Sequence, residues 1–157
     1  MIVYGIIKYH KKGGDSMNIR MRLDADLYGT ENYVCPRCFY QLKDCTCKSF
    51  PPYYLIMIDE KMQDTIRTLN SKGYNTVGCC ESHYNYMSPS LHVIFNRKYD
   101  FEIPEGFKYI KNGNGIAHEY DQRLTKKEWE EEKKKYLKTL NKWAKDLPEL
   151  DKRERER

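Results

Sequence analysis

Four of the six cysteines in this 157-residue chain lie close together, in the sequences Cys35-Pro36-Arg37-Cys38 and Cys45-Thr46-Cys47. A Cys-Pro-x-Cys sequence forms a tight turn, in which the proline fixes one backbone angle at little cost. The short spacer between the two pairs allows a hairpin to bring all four thiols to one ion. Four thiolates suit Zn²⁺ in a closed tetrahedron with no open coordination position. The spacing therefore predicts a structural zinc site at Cys35, Cys38, Cys45 and Cys47.

Zinc is favoured over other uses of such cysteines. The apolar stretch at residues 1–7 is shorter than the core of a signal peptide, so we expect a cytoplasmic protein in which disulfides do not persist. Free buried thiols, a redox pair and an iron–sulfur cluster are the alternatives. Because the surrounding sequence is too polar to fold alone, we expect the metal to supply its folding energy.

A second group with possible chemistry consists of Cys79, Cys80, His83 and His92. Adjacent strand residues face opposite sides of a sheet, so both cysteines can face one ion only if the strand bends, which Gly78 allows. In one interpretation the group binds a second metal, with a water completing the shell. In another, His83 activates Cys80 as a nucleophile. The third and preferred interpretation is a buried, unreactive thiol beside a turn-capping histidine.

The elements that must position these residues follow from the apolar pattern. Apolar residues at helical spacing (Met62, Ile66 and Leu69) predict a helix that Asp59 caps and Gly73 ends. Strands are predicted at 54–58, 74–78, 91–95, 107–110 and 116–120, the last two joined by an Asn-Gly-Asn-Gly turn. This order predicts an α+β fold: a small, antiparallel-rich sheet with one packed helix, an N-terminal zinc knuckle and a C-terminal amphipathic helix.

The C-terminal helix is predicted to begin with a capping box at Thr125 and to end before Pro148. Its apolar stripe is interrupted near Lys133. We expect this stripe to pack on the central domain, while a second copy of the chain and a partner protein are the alternative interfaces. The stripe includes Trp129, Tyr136, Leu140 and Trp143.

Tyrosines and an arginine near the second group are candidates for ligand binding. Tyr84, Tyr86, Arg97 and Tyr99 would offer stacking surface and charge to a nucleotide or base. Ordinary solvent-facing loop residues are the alternative interpretation.

The chain divides into four predicted segments. Residues 1–32 form a hairpin, or a translated leader if translation starts at Met17, because residues 11–16 can be encoded by a stretch that resembles a ribosome-binding site. Residues 33–52 form the zinc finger, 53–122 the α+β core, and 123–157 the helix and its charged tail.

The segment around the second group resembles known proteins. It has the sequence Leu69-Asn70-x-Lys72-Gly73-Tyr74-x-Thr76-x-x-Cys79-Cys80-Glu81-x-His83. This resembles a unit of uncharacterised proteins from low-GC bacteria and their phages, where a cysteine finger precedes the same block. That likeness covers about residues 33–120 and implies no particular activity. The segment is also similar to a Gly-Tyr-x-Thr-x-x-Ser-Cys-x-Gly stretch of the wybutosine-synthesising methyltransferase family, which implies a strand–turn geometry.

The net charge of +5 invites a nucleic-acid partner, but its distribution argues against a binding groove in the core. Residues 123–157 carry a net +4, while residues 53–122 carry −2. No run of residues approaches the length of a membrane span. We therefore expect a non-catalytic, zinc-stabilised protein that is encoded by a phage. It would bind a host macromolecule in a host-takeover or anti-defence role. A nucleotide- or RNA-binding protein is the first alternative. A nucleic-acid-modifying enzyme that uses Cys80, His83 and His92 is the second.

Overall fold

The computed structural model has the α+β architecture that the sequence predicts. It describes residues 7–8, 33–35, 37–41, 44–47, 54–84, 90–110, 112–151 and 154–155. Within these residues, a smaller antiparallel sheet has the strand order β1-β3-β2, with β1 at Ile7–Lys8, β2 at Tyr33–Val34 and β3 at Tyr54–Met57. A larger one has the order β4-β5-β7-β6, with β4 at Thr76–Cys80, β5 at Ser90–Phe95, β6 at Lys108–Tyr109 and β7 at Gly115–Glu119. The helices are α1 (Gln63–Ser71), which follows a 3₁₀ turn at Glu60–Met62, and α2 (Lys126–Asp146).

The larger sheet contains four of the predicted strands. Along β5, Leu91, Val93 and Phe95 are buried while the residues between them are only half-buried, which is the alternation expected of a strand with one core face. The Asn-Gly-Asn-Gly turn joins β6 to β7, and Gly113 adopts the positive φ (68°) that such turns require. The sequence pattern therefore predicts this sheet well.

The predicted strand at 54–58 is present, but it does not belong to this sheet. Its partners are β2, which begins just before the first cysteine, and β1. The apolar pattern within a segment identifies a strand but not its neighbours, because pairing joins residues far apart in sequence. The second strand of the predicted N-terminal hairpin and the Met17 start both lie outside the described residues.

The core lies between one face of the larger sheet and the two helices. It also includes Val34 from the smaller sheet, and it consists mainly of Val34, Ile58, Met62, Ile66, Leu69, Tyr74, Leu91, Val93, Phe95, Ile116, Trp129 and Leu140. Gly73, with φ +95°, ends α1 as predicted. No helix in the described ranges combines the length and apolar composition needed to cross a bilayer.

Candidate metal centres

The four clustered cysteines meet in space. The sulfur atoms of Cys35, Cys38, Cys45 and Cys47, which we call the cysteine knuckle, all lie within 4.8 Å of one another. Cys38 Sγ and Cys45 Sγ are 3.6 Å apart. In a tetrahedron with metal–sulfur bonds of about 2.3 Å, sulfurs are separated by about 3.8 Å. The predicted convergence is confirmed, and the spacing is that of ligands around one metal ion.

The backbone turn after the first cysteine produces this geometry. The Phe39 N–H donates to the Cys35 carbonyl (2.8 Å), and the Cys35 N–H donates to the Tyr40 carbonyl (2.9 Å). Phe39 has a φ of +58°, a left-handed conformation that reverses the chain within a few residues. The turn therefore carries Cys38 back beside Cys35.

Electrostatic interactions within the knuckle favour ionisation of one cysteine but disfavour ionisation of several at once. Burial raises the pKa of Cys35, but the backbone N–H groups of Cys38 and Arg37 point at its sulfur, and the net pKa lies below the ordinary value. Burial raises the pKa of Cys38, which stays above its ordinary value. Neighbouring thiols cannot all ionise without a compensating charge, so the knuckle needs a cation to become fully deprotonated.

The knuckle is anchored to the rest of the molecule. Val34, just before the first cysteine, has no exposed surface and lies in the core. The Arg67 guanidinium of α1 lies 4.1 Å from the centre of the Tyr40 ring, a cation–π contact. Gln41 donates to the Gln63 side-chain oxygen at the start of the same helix (3.3 Å). The knuckle is therefore connected to α1 and to the core.

The second group differs from the predicted one. The ligand atoms that meet, all within 4.8 Å of one another, belong to Asp59, Cys80 and His83, which we call the mixed site. Cys79 points instead into the core, because β4 continues through Cys80 and adjacent strand residues face opposite sides. The structure therefore does not bring Cys79 together with Cys80 and His83. His92 pairs with Cys80 across the sheet but is not part of the mixed site, and its Nδ1 lies 3.0 Å from the Ser90 hydroxyl.

Short-range hydrogen bonds shape the mixed site. The Glu81 N–H donates to Asp59 Oδ2 (2.9 Å), and the Ser82 N–H lies 3.3 Å from the Cys80 sulfur. Ser82 has a φ of +72°, so the chain turns sharply after β4 and places His83 Nε2 3.8 Å from the same Asp59 oxygen. The sequence predicts Asp59 as a helix cap, but its side chain makes no cap hydrogen bond. The position of Asp59 in the sequence predicts that it lies at the end of a strand. It does not predict that Asp59 faces β4.

The electrostatic environment of Cys80 bears on whether it acts as a nucleophile. Burial raises the pKa of this thiol, and the nearby Asp59 and Glu81 carboxylates raise it further. A thiol of raised pKa is a poor nucleophile at neutral pH unless a cation displaces its proton. Burial also lowers the pKa of His92, which favours its neutral form. This environment supports a metal ligand at Cys80 better than a free nucleophile.

The residues proposed for ligand binding have different surroundings. The Tyr99 hydroxyl accepts a hydrogen bond from the Asn75 N–H (3.0 Å), and the Arg97 guanidinium lies 4.7 Å from the centre of the Tyr99 ring. Tyr84 is partly exposed, and Tyr86 lies outside the described residues. A role for these four residues in ligand binding stays a prediction.

The apolar stripe of α2 packs on the chain itself. Trp129 and Leu140 are buried in the core, while Tyr136 and Trp143 are half-buried against it. This is the first of the three packing partners considered from the sequence. The core covers most of the surface of Trp129 and Leu140, and an interface role for the four stripe residues stays a prediction.

Residues of α2, together with Lys61, also line a basic groove of about 1030 Å³. Its lining includes exposed lysines, the buried Trp129 and the half-buried Leu137. We call it the lysine groove, and its exposed lysines are Lys61, Lys134, Lys138, Lys142 and Lys145. Two acidic residues, Glu130 and Asp146, also line it, so positive charge predominates.

Comparison of the chain with protein-family models, curated proteins and solved structures finds no match.

Proposed function

We propose that the cysteine knuckle binds one Zn²⁺ as a structural ion and that the protein acts by binding a host macromolecule. The convergence of four sulfurs within 4.8 Å carries the zinc proposal. Four thiolates complete a tetrahedral shell and leave no position for a substrate, so chemistry at this ion is disfavoured. The coupling of the knuckle to α1 supports a role in shaping the molecular surface.

The test of this proposal begins with the metal content of the purified chain. We expect Zn²⁺ at the knuckle, lost on Cys38→Ser and retained on Cys79→Ala, which removes a thiol that faces the core. Affinity capture from host lysate, with and without nuclease, then identifies the partner. A nuclease-resistant partner protein supports the leading proposal. A zinc content in Cys38→Ser equal to that of the wild-type chain would contradict it.

A second candidate function, nucleic-acid binding, is favoured by the lysine groove. Lys134, Lys138 and Lys142 are exposed and spaced four residues apart, so they form one row along α2. Such a row matches the regular negative charge of a phosphate backbone. Most of the excess positive charge of the sequence lies in residues 123–157, the segment that contains this row.

Binding of a fluorescent single-stranded oligonucleotide tests this candidate. We expect Lys138→Glu/Lys142→Glu to weaken binding at least tenfold and to reduce the salt dependence, by a slope of roughly 0.7 for each lost phosphate contact. The matched control is Lys126→Glu/Lys127→Glu, the same charge change at the exposed start of α2 and outside the groove. Equal losses in the two double variants would indicate non-specific attraction and exclude a groove.

A further inference from the structure

We infer that Asp59, Cys80 and His83 bind a second divalent transition-metal ion and leave one coordination position open to water or an anionic ligand. This site is separate from the knuckle, so the inference does not rest on the function proposed above. It differs from the knuckle in donor type, in ligand number and in what the ion can do.

The donor set selects the kind of metal. One carboxylate oxygen, one thiolate and one imidazole form a borderline set that suits Zn²⁺ or Co²⁺. A thiolate excludes Mg²⁺ and Ca²⁺, which prefer oxygen ligands throughout. With the thiol and the carboxyl deprotonated and the imidazole neutral, the three residues supply two negative charges, which balance a divalent ion.

The ligands are held in place before an ion arrives. Asp59 is oriented by the Glu81 N–H, and the Cys80 sulfur lies beside the Ser82 N–H. The turn that carries these donors is itself fixed by Lys133 of α2, whose ammonium donates to Glu81 Oε1 (2.6 Å) and to the Ser82 carbonyl (2.9 Å). Such supporting hydrogen bonds orient metal ligands and raise affinity.

Ligand count and exposure together give the open position. Three protein ligands are typical of reactive zinc sites, in which a water or substrate takes the fourth position. The His83 side chain is 42% exposed and that of Asp59 is 12% exposed, so the site has a solvent-facing side and a protected side. An ion there is able to bind a water, lower the pKa of that water and exchange it for an anion.

Cobalt substitution of the full-length chain tests the inference. After equilibrium dialysis against Co²⁺, we expect two ions per chain, and one in His83→Ala and in Asp59→Ala. His83 is a suitable primary variant because its side chain is partly exposed, so the substitution should leave the circular dichroism spectrum unchanged. Cys38→Ser is expected to lose the knuckle ion and keep the other, which separates this inference from the zinc proposal.

Two further measurements complete the design. His92→Ala is the matched histidine control and should keep both ions. Azide should shift the visible absorption of Co²⁺ in the wild-type chain but not in His83→Ala. One ion in the wild-type chain, or two in His83→Ala, would overturn the site. Loss of an ion in His92→Ala, or no response to azide, would overturn the open position.

Discussion

Lys133 is a charged side chain in the protein interior, with 8% of its side chain exposed. Its ammonium forms an ion pair with Glu81, whose side chain is 14% exposed, and lies 4.9 Å from the centre of the Trp129 ring. A buried charge is tolerated only when it is paired and hydrogen-bonded. This pair therefore fixes the turn after β4 to the middle of α2.

We predict that Lys133→Met destabilises the protein by about 3 kcal/mol, because the substitution leaves the Glu81 carboxylate buried without its partner. The double variant Lys133→Met/Glu81→Leu should lose less than the single one, because no unpaired charge remains. Urea unfolding measures both free energies.

The neighbouring Lys134 provides the control for this prediction. It is exposed, so Lys134→Met should change the free energy of unfolding by no more than about 0.5 kcal/mol. If the double variant were as unstable as Lys133→Met alone, the loss would come from packing and not from the unpaired carboxylate.

The sequence indicates the ion pair of Lys133 and Glu81 only in part. The apolar stripe of α2 is interrupted near Lys133, and the structure shows that this residue nevertheless lies on the buried side of the helix. Helical periodicity predicts which side of the helix a residue faces. It does not identify the partner of a lysine on the buried side. Glu81 is 52 residues away in sequence, so no local pattern joins the two.

At the scale of elements, the start of α2 has a pH-dependent contribution to stability. The Thr125 side chain accepts from the Glu128 N–H (3.4 Å), and the Glu128 carboxylate accepts from the Thr125 N–H (2.8 Å). The hydrogen bond from the Thr125 side chain and that from its backbone N–H lower the pKa of Glu128. A lowered pKa in the folded state stabilises the fold above the unfolded value, and this contribution is lost as the pH falls through the folded value.

We therefore predict that Glu128→Gln lowers the melting temperature near neutral pH. The difference from wild type should shrink as the pH falls below about 4.3, the ordinary pKa of glutamate, because the wild-type carboxyl then becomes protonated. Thermal unfolding followed by circular dichroism between neutral and acidic pH measures it. Glu130→Gln, on an exposed residue beyond the capping box, is the control. A difference that grew on acidification would contradict the assignment.

Elements differ in how far the sequence determines them. The capping box, the turn at residues 112–115 and the end of α1 at Gly73 depend on neighbouring residues, and all are correctly predicted. The pairing of β3 with β2 depends on residues more than twenty positions apart, and the sequence pattern does not predict it. The ligand set of the mixed site is not predicted for the same reason, because Asp59 precedes α1 while Cys80 and His83 follow it.

At the scale of the whole molecule, the cysteine knuckle is part of the folded body and not an appendage. β2, directly before Cys35, pairs with β3, and Val34 lies in the same core as both helices. Arg67 joins the knuckle to α1 at Tyr40. Loss of the knuckle should therefore affect the cooperative unfolding of the entire chain.

We predict that metal removal lowers the melting temperature of the whole protein in one transition. A structural zinc site supplies roughly 10 kcal/mol, and loss of even a third of this would lower the melting temperature by about 9 °C in a chain of this size. Unfolding is measured by calorimetry before and after chelation. The comparison uses the His83→Ala background, so that the mixed site does not contribute. Because Val34 and Arg67 tie the knuckle to the core, a separate low-temperature transition with an unchanged main transition would show instead that the knuckle folds independently.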